Sequence, residues 1–171
     1  MILISHRGNI DGRIPEYENN PNYIQAALEL GYDVEVDVWF VDGKFMLGHD
    51  EPQYETDYKF LMNEKLWCHA KSLDALFEMK KYAIHYFWHE TDTVTLTSKN
   101  YVWAYPGKQP IKGSIAVLPE RDNDVDPSGQ TYNRHFHHFE YHTDYSDWLD
   151  HHTQYTWSKD LDMFKDFLDS E

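Results

Sequence analysis

The chain predicts an α/β fold on a largely parallel sheet, because short apolar runs ending in polar residues alternate with segments of helical periodicity. Three observations carry that expectation. Ile2-Leu3-Ile4 opens directly into Ser5-His6-Arg7-Gly8, the pattern of a buried strand whose C-terminal end meets a loop. From Tyr32 to Val41 the residues alternate, with Val34, Val36, Val38 and Phe40 on one face and Glu35, Asp37 and Trp39 on the other. Between these strands lies an amphipathic segment able to cover the Val-rich face.

That segment begins well for a helix. Asn20 can cap, Pro21 suits the first turn, and Tyr23, Ile24, Ala27, Leu28 and Leu30 form a stripe that Gly31 ends. Asn9 to Glu18, with Gly12 and Pro15, reads as a loop. Asp42-Gly43 is a two-residue hairpin signal, so Lys44 to His49 is expected to return antiparallel. Further along come a strand at Leu66 to Ala70, a helix at Ser72 to Lys81 and a strand at Ala83 to Trp88. Thr93 to Thr97 and Tyr101 to Ala104 suggest a second hairpin, and Ser114 to Leu118 a last strand. Residues 1–120 form the predicted α/β domain. Residues 121–171 hold six of the eleven histidines and are expected to pack on that domain. Within them Asp122 to Gln130 reads as a polar linker, and Trp148, Leu149, Trp157, Leu161, Phe164, Phe167 and Leu168 as a helix with an apolar face.

Composition narrows the function. With 171 residues, 41% of them hydrophobic and 16% aromatic, the chain can bury one core. A formal net charge of -15 repels polyphosphate backbones and anionic membranes, so nucleic acid is a poor partner. Cys68 is the single cysteine, so no intramolecular disulfide forms. No run resembles a secretory signal or approaches membrane-spanning length, and a cytoplasmic location is the simplest expectation.

The alternating strand holds the most chemistry. Carboxylates at Glu35 and Asp37 stand about 7 Å apart along one face, a spacing from which both reach one hard cation such as Mg²⁺ or Ca²⁺. The competing reading is a solvated outer face. The Val-rich side needs covering helices, however, and that turns the carboxylates inward, where unpaired charge is costly. The hairpin register sets Gly48 opposite Asp37. His49 then falls beside the carboxylates only if the strand bulges or peels away at Gly48. His6 also stands at a strand end, and two imidazoles near neutrality can divide base and acid roles between them. Arg7 offers a planar fork of donors suited to a phosphate.

His6-Arg7-Gly8, Pro15 with Glu18-Asn19, Val34-Glu35-Val36-Asp37-Val38, Asp42-Gly43 and Gly48-His49-Asp50 together resemble the glycerophosphodiester phosphodiesterase pattern in order and spacing. The match is strong over roughly the first 50 residues and looser to about residue 118. The resemblance implies a phospholipase-C-like (β/α) barrel of the TIM type, with its site at the C-terminal strand ends. It implies catalytic acid and base roles for His6 and His49, phosphate binding by Arg7 and Lys71, a supporting role for Glu18, and metal ligation by Glu35 and Asp37.

Two departures follow from the same comparison. Where the family places a third metal-ligating glutamate, this chain has His69, two residues before the retained Lys71. Imidazole moves the preference from Mg²⁺ or Ca²⁺ toward Mn²⁺ or Zn²⁺. Glu90 is an alternative third ligand, and the sequence leaves both open. The chain is also shorter than the ~250 residues of a full barrel, so an abbreviated or open barrel is expected, as monomer or homodimer. The implied function is metal-dependent hydrolysis of a small-molecule phosphodiester. The alternatives are a non-catalytic phosphodiester-binding relative, and a phosphodiesterase acting on a sphingolipid-type or polysaccharide-linked diester. His135, His137, His138 and His142 match no metal site by spacing and read as a solvated segment.

Overall fold

In the computed structural model, which describes residues 2–105, 111, 113–117 and 141–144, the first apolar run forms β1 (Leu3–His6). Helix α1 (Pro21–Glu29) starts at Asn20, whose side chain accepts from Asn22 N at 2.9 Å, with Pro21 in the first turn. Such a cap contributes about 1 kcal/mol. The helix buries Ile24 and Ala27 against β2 (Asp33–Val41). Val34, Val36 and Val38 of β2 are fully buried under it, each contributing roughly 1.5–3 kcal/mol relative to exposure.

β2 turns at Asp42-Gly43 into β3 (Lys44–Leu47), pairing Val41 with Lys44 and Val38 with Leu47. A short β4 (Tyr54–Thr56) then adds to β3, and a single turn of helix, α2 (Tyr58–Leu61), is capped by Asp57. Neither is expected from the sequence, since three strand residues show no usable alternation. β5 (Leu66–Ala70) runs parallel to β2, and α3 (Leu73–Met79), capped by Ser72, buries Ala75 and Met79. β6 is only Tyr86–Phe87, because no more of the expected strand pairs with β5. β7 (Val94–Leu96) and β8 (Val102–Ala104) form the second hairpin, followed by β9 (Ser114–Val117) and β10 (Tyr141–Asp144).

The sheet is mixed rather than largely parallel. Its main path runs β4-β3-β2-β1-β10-β9-β8-β7, and β5 with β6 branches from β2. β1, β2, β5 and β6 are parallel neighbours, whereas β10 is antiparallel to both β1 and β9. The ladder closes into no barrel among the described residues. Beyond the ladder, Ser98 N donates to the Tyr86 carbonyl (2.8 Å) and Thr95 Oγ1 to the Trp88 carbonyl (2.8 Å). β10 brings residues after 120 into the same sheet as the first 120. The expected linker at 122–130 and the C-terminal apolar helix lie outside the described residues, as do His135, His137 and His138.

The two sheet faces hold separate cores. Under the helices, Val34, Val36, Val38, Leu66, Cys68 and Ala70 pack with Ile24, Ala75 and Met79. On the opposite face Ile4, Trp67, Phe87, Trp103, Ile115 and Val117 cluster. Glu35 and Asp37 share that second face, at the polar C-terminal ends of the parallel strands. No helix among the described residues is long and apolar enough to cross a membrane.

Candidate functional site

Parallel register builds the centre of the site. His6 stands beside Glu35 on β1 and β2, and His69 beside Asp37 on β5 and β2. Four side chains with titratable groups are thereby neighbours on one face. His6 Nε2 lies 3.9 Å from Glu35 Oε2, and His69 Nδ1 lies 3.2 Å from Asp37 Oδ1 and 3.8 Å from Glu35 Oε1. Glu35 and Asp37 are 3% and 0% exposed, so both carboxylates are removed from water.

At the end of β3 the chain leaves the ladder. Gly48 N still bonds the Asp37 carbonyl at 3.1 Å, but its backbone takes φ 151°, and Trp39 Nε1 bonds the Gly48 carbonyl. The departure at Gly48 sets His49 on the carboxylate side, with Nδ1 3.1 Å from Asp37 Oδ2 and 2.7 Å from Arg7 Nη2. These two contacts call for different occupancy of Nδ1, a difference that the two tautomers of the ring supply. Arginine only donates, so its contact needs a lone pair at Nδ1, whereas the Asp37 contact needs a proton there. Either state of His49 therefore has a partner.

Arg7, at φ 57°, projects its guanidinium into the cluster. Nη1 donates to Glu18 Oε2 at 2.9 Å, Nη2 meets His49, and Nε lies 2.9 Å from Asp37 Oδ2, off the line of a hydrogen bond. One hydrogen on each terminal nitrogen is left for a ligand. Glu18 also accepts from Asn9 and from Arg13. Burial opposes its charge, yet the hydrogen bonds from Arg13 and Arg7 hold its carboxyl down at about 2.

The two buried carboxylates diverge. Burial and the adjacent Asp37 push Glu35 well above the usual carboxylate range. Burial pushes Asp37 the same way, but the imidazoles of His49 and His69 and the Arg7 charge outweigh it and hold Asp37 well below that range. Glu35 Oε2 and Asp37 Oδ1 have no hydrogen-bond partner and no water access. Lys71 Nζ approaches Asp37 Oδ1 only to 3.6 Å. Glu35, Asp37 and His69 offer ligand atoms within 4.8 Å of one another. Glu90 is exposed and borders the cleft without joining this group.

Asn19 completes the site and is absent from the sequence-derived set, although it follows Glu18 directly. Its Nδ2 donates to Asp37 Oδ2 (3.0 Å), and its Oδ1 accepts from Asp37 N (2.9 Å). Its φ of 61° is a conformation that asparagine tolerates better than most residues. The cleft, of about 410 Å³, is bordered by His6, Arg7, Glu35, His49, His69 and Lys71, with an aromatic wall that includes Phe87, Trp88, Trp103 and Tyr105. Short strands give that wall no periodic signal in the sequence. Compared with protein-family models, curated proteins and solved structures, the chain gives no match.

Proposed function

We propose that this protein is a metal-dependent phosphodiester hydrolase, a short relative of the glycerophosphodiester phosphodiesterases on an open barrel of the same type. The observation that carries the reading is the convergence of two buried carboxylates with unpartnered oxygens on an imidazole nitrogen, between His6 and His49. Buried carboxylate oxygens without a hydrogen bond or water are costly, and a cation joining Glu35 Oε2 and Asp37 Oδ1 removes that cost. The residues present fit a divalent ion held by Glu35, Asp37 and His69.

When bound, such an ion supplies polarisation of the phosphoryl oxygens and a lowered pKa for the attacking hydroxyl. The chain's own groups handle the protons and the charge. His6 and His49 divide base and acid roles, one taking the proton of the attacking water or neighbouring alcohol and the other protonating the leaving oxygen. His49 is held at the cleft by its contacts with Arg7 and Asp37. Arg7 and Lys71 line the cleft beside the carboxylates and steady developing negative charge. Glu18 holds Arg7 in place.

The substrate under this reading is a small phosphodiester, and the acidic chain acts in the cytoplasm without nucleic-acid partners, as monomer or homodimer. The test is an assay of glycerophosphodiesters and a chromogenic diester with Mg²⁺, Ca²⁺ and Mn²⁺. Turnover should need the cation and fall by at least about 100-fold in Glu35→Ala and His49→Ala. Unchanged turnover in either variant overturns the mechanism. Diester binding without product or metal dependence would instead identify a binding module.

A further inference from the structure

His69 makes one further hydrogen bond, and it fixes the chemistry of the ring. Its Nε2 lies 2.9 Å from the carbonyl oxygen of His89. A carbonyl only accepts, so Nε2 carries a proton, and in the uncharged ring Nδ1 is a lone pair. That nitrogen faces Asp37 Oδ1 at 3.2 Å and Glu35 Oε1 at 3.8 Å. Against these carboxylates Nδ1 needs either a second proton or a cation, and a dication seated there takes the place of that proton. The ring plane is set as well, stacked on Phe87 with 5.0 Å between centroids and 3° between planes. One oxygen of each carboxylate, Glu35 Oε2 and Asp37 Oδ1, is buried without a hydrogen-bond partner.

We propose that His69 Nδ1, oriented by the His89 carbonyl and the Phe87 ring, makes this centre select a first-row transition dication over Mg²⁺ and Ca²⁺. The inference rests on the cation site proposed above, not on its reaction. Magnesium and calcium favour all-oxygen shells, whereas an imidazole and two carboxylates suit Mn²⁺ and its heavier neighbours. An imidazole whose other nitrogen donates to a backbone carbonyl is held ready to ligate, so little ordering is left to the moment of binding.

The test uses the whole chain with chloride salts of each metal alone. Calorimetry should give Mn²⁺ binding about tenfold or more tighter than Mg²⁺ or Ca²⁺, and His69→Glu should narrow that ratio about tenfold. Pulsed EPR of the Mn²⁺-loaded protein should show coupling to one imidazole nitrogen, lost in His69→Glu and in His69→Phe. Because that coupling is read on the unsubstituted protein, a misfolded variant does not rescue the proposal. Equal affinity for Mg²⁺ and Mn²⁺, or no nitrogen coupling, overturns it. So does coupling that survives His69→Glu, which would seat the ion on other histidines, six of which follow residue 120. Diester turnover on Mg²⁺ without nitrogen ligation would sink this inference and leave the hydrolase. Nitrogen-ligated Mn²⁺ with no turnover would sink the hydrolase and leave this inference.

Discussion

A Cβ added at Gly48 would stand 2.0 Å from the Glu51 carbonyl oxygen, closer than any real contact, and the backbone there has φ 151°. Gly48→Ala must therefore move the segment that carries His49. Turnover is expected to fall about 100-fold, with about 1–3 kcal/mol lost from stability, read as kcat and as a urea midpoint. Wild-type turnover in that variant would detach His49 from the chemistry. Asn19 invites a cleaner cut, because Asn19→Gly removes both Asp37 hydrogen bonds while tolerating φ 61°. About 2 kcal/mol of stability should go with them, and Asn19→Ala should cost more because it adds strain. Equal losses in the two variants would show that the backbone conformation costs nothing. Much at this scale is legible in the sequence. Alternation puts Glu35 and Asp37 on one face, and the Asp42-Gly43 turn sets Gly48 against Asp37 and demands the departure found there. The Asn19 bonds and the three-way engagement of Arg7 are not legible, since each depends on how a loop of ten residues folds back over β2.

Among the elements, the junction of β6 with the β7–β8 hairpin depends on a histidine outside the cleft. His85, 2% exposed, bonds Thr97 Oγ1 through Nε2 at 2.9 Å, and its ring centroid lies 4.3 Å from that of Trp67. Burial and then the Lys99 charge lower its pKa to about 4. The folded value is below that of the unfolded chain, about 6.5, so the unfolded chain binds the extra proton first as pH falls. Stability is then unaffected above pH ~6.5 and lost progressively from there to pH ~4, on the order of 2 kcal/mol after solvent screening. Melting temperatures across that window should show the slope, and His85→Phe should flatten it. A slope unchanged in His85→Phe would assign the acid sensitivity elsewhere. Thr-Val alternation makes the hairpin itself readable at sequence level. The brevity of β6 is not readable, because apolar residues at 83–88 look the same whether they pair with β5 or are held by Ser98.

Across the whole molecule, β10 joins two half-sheets that have no other ladder between them among the described residues. On one side lie β1 to β6, on the other β7 to β9, and β10 pairs Leu3 to Ser5 with one edge and Ile115 to Val117 with the other. The inner apolar cluster spans the same divide, with Ile4, Trp67 and Phe87 facing Trp103, Ile115 and Val117. This strand is hidden in the sequence, where Tyr141-His142-Thr143-Asp144 sits in a polar, histidine-rich stretch and its β1 partner is more than a hundred residues away. Removing residues 121–171 would unpair the β1 and β9 edges and open the inner cluster to water. The shortened chain should melt roughly 10 °C lower, or lose a single cooperative transition, and bind a hydrophobic dye. A chain ending at residue 144 keeps the strand and should recover the sharp transition if β10 alone joins the halves. Should the chain ending at 120 melt as sharply and as high as the full protein, the half-sheets must hold together without β10, through the apolar cluster and the hydrogen bonds of Thr95, Thr97 and Ser98 to the β6 segment. The cleft, whose wall takes Trp103 and Val117 from one half and His6, Glu35 and His69 from the other, gives the same comparison a second readout. Metal binding should weaken little in the shortened chain, because Glu35, Asp37 and His69 all lie in the first half. Diester turnover should collapse, because Trp103, Tyr105 and Val117 of the cleft wall come from the second.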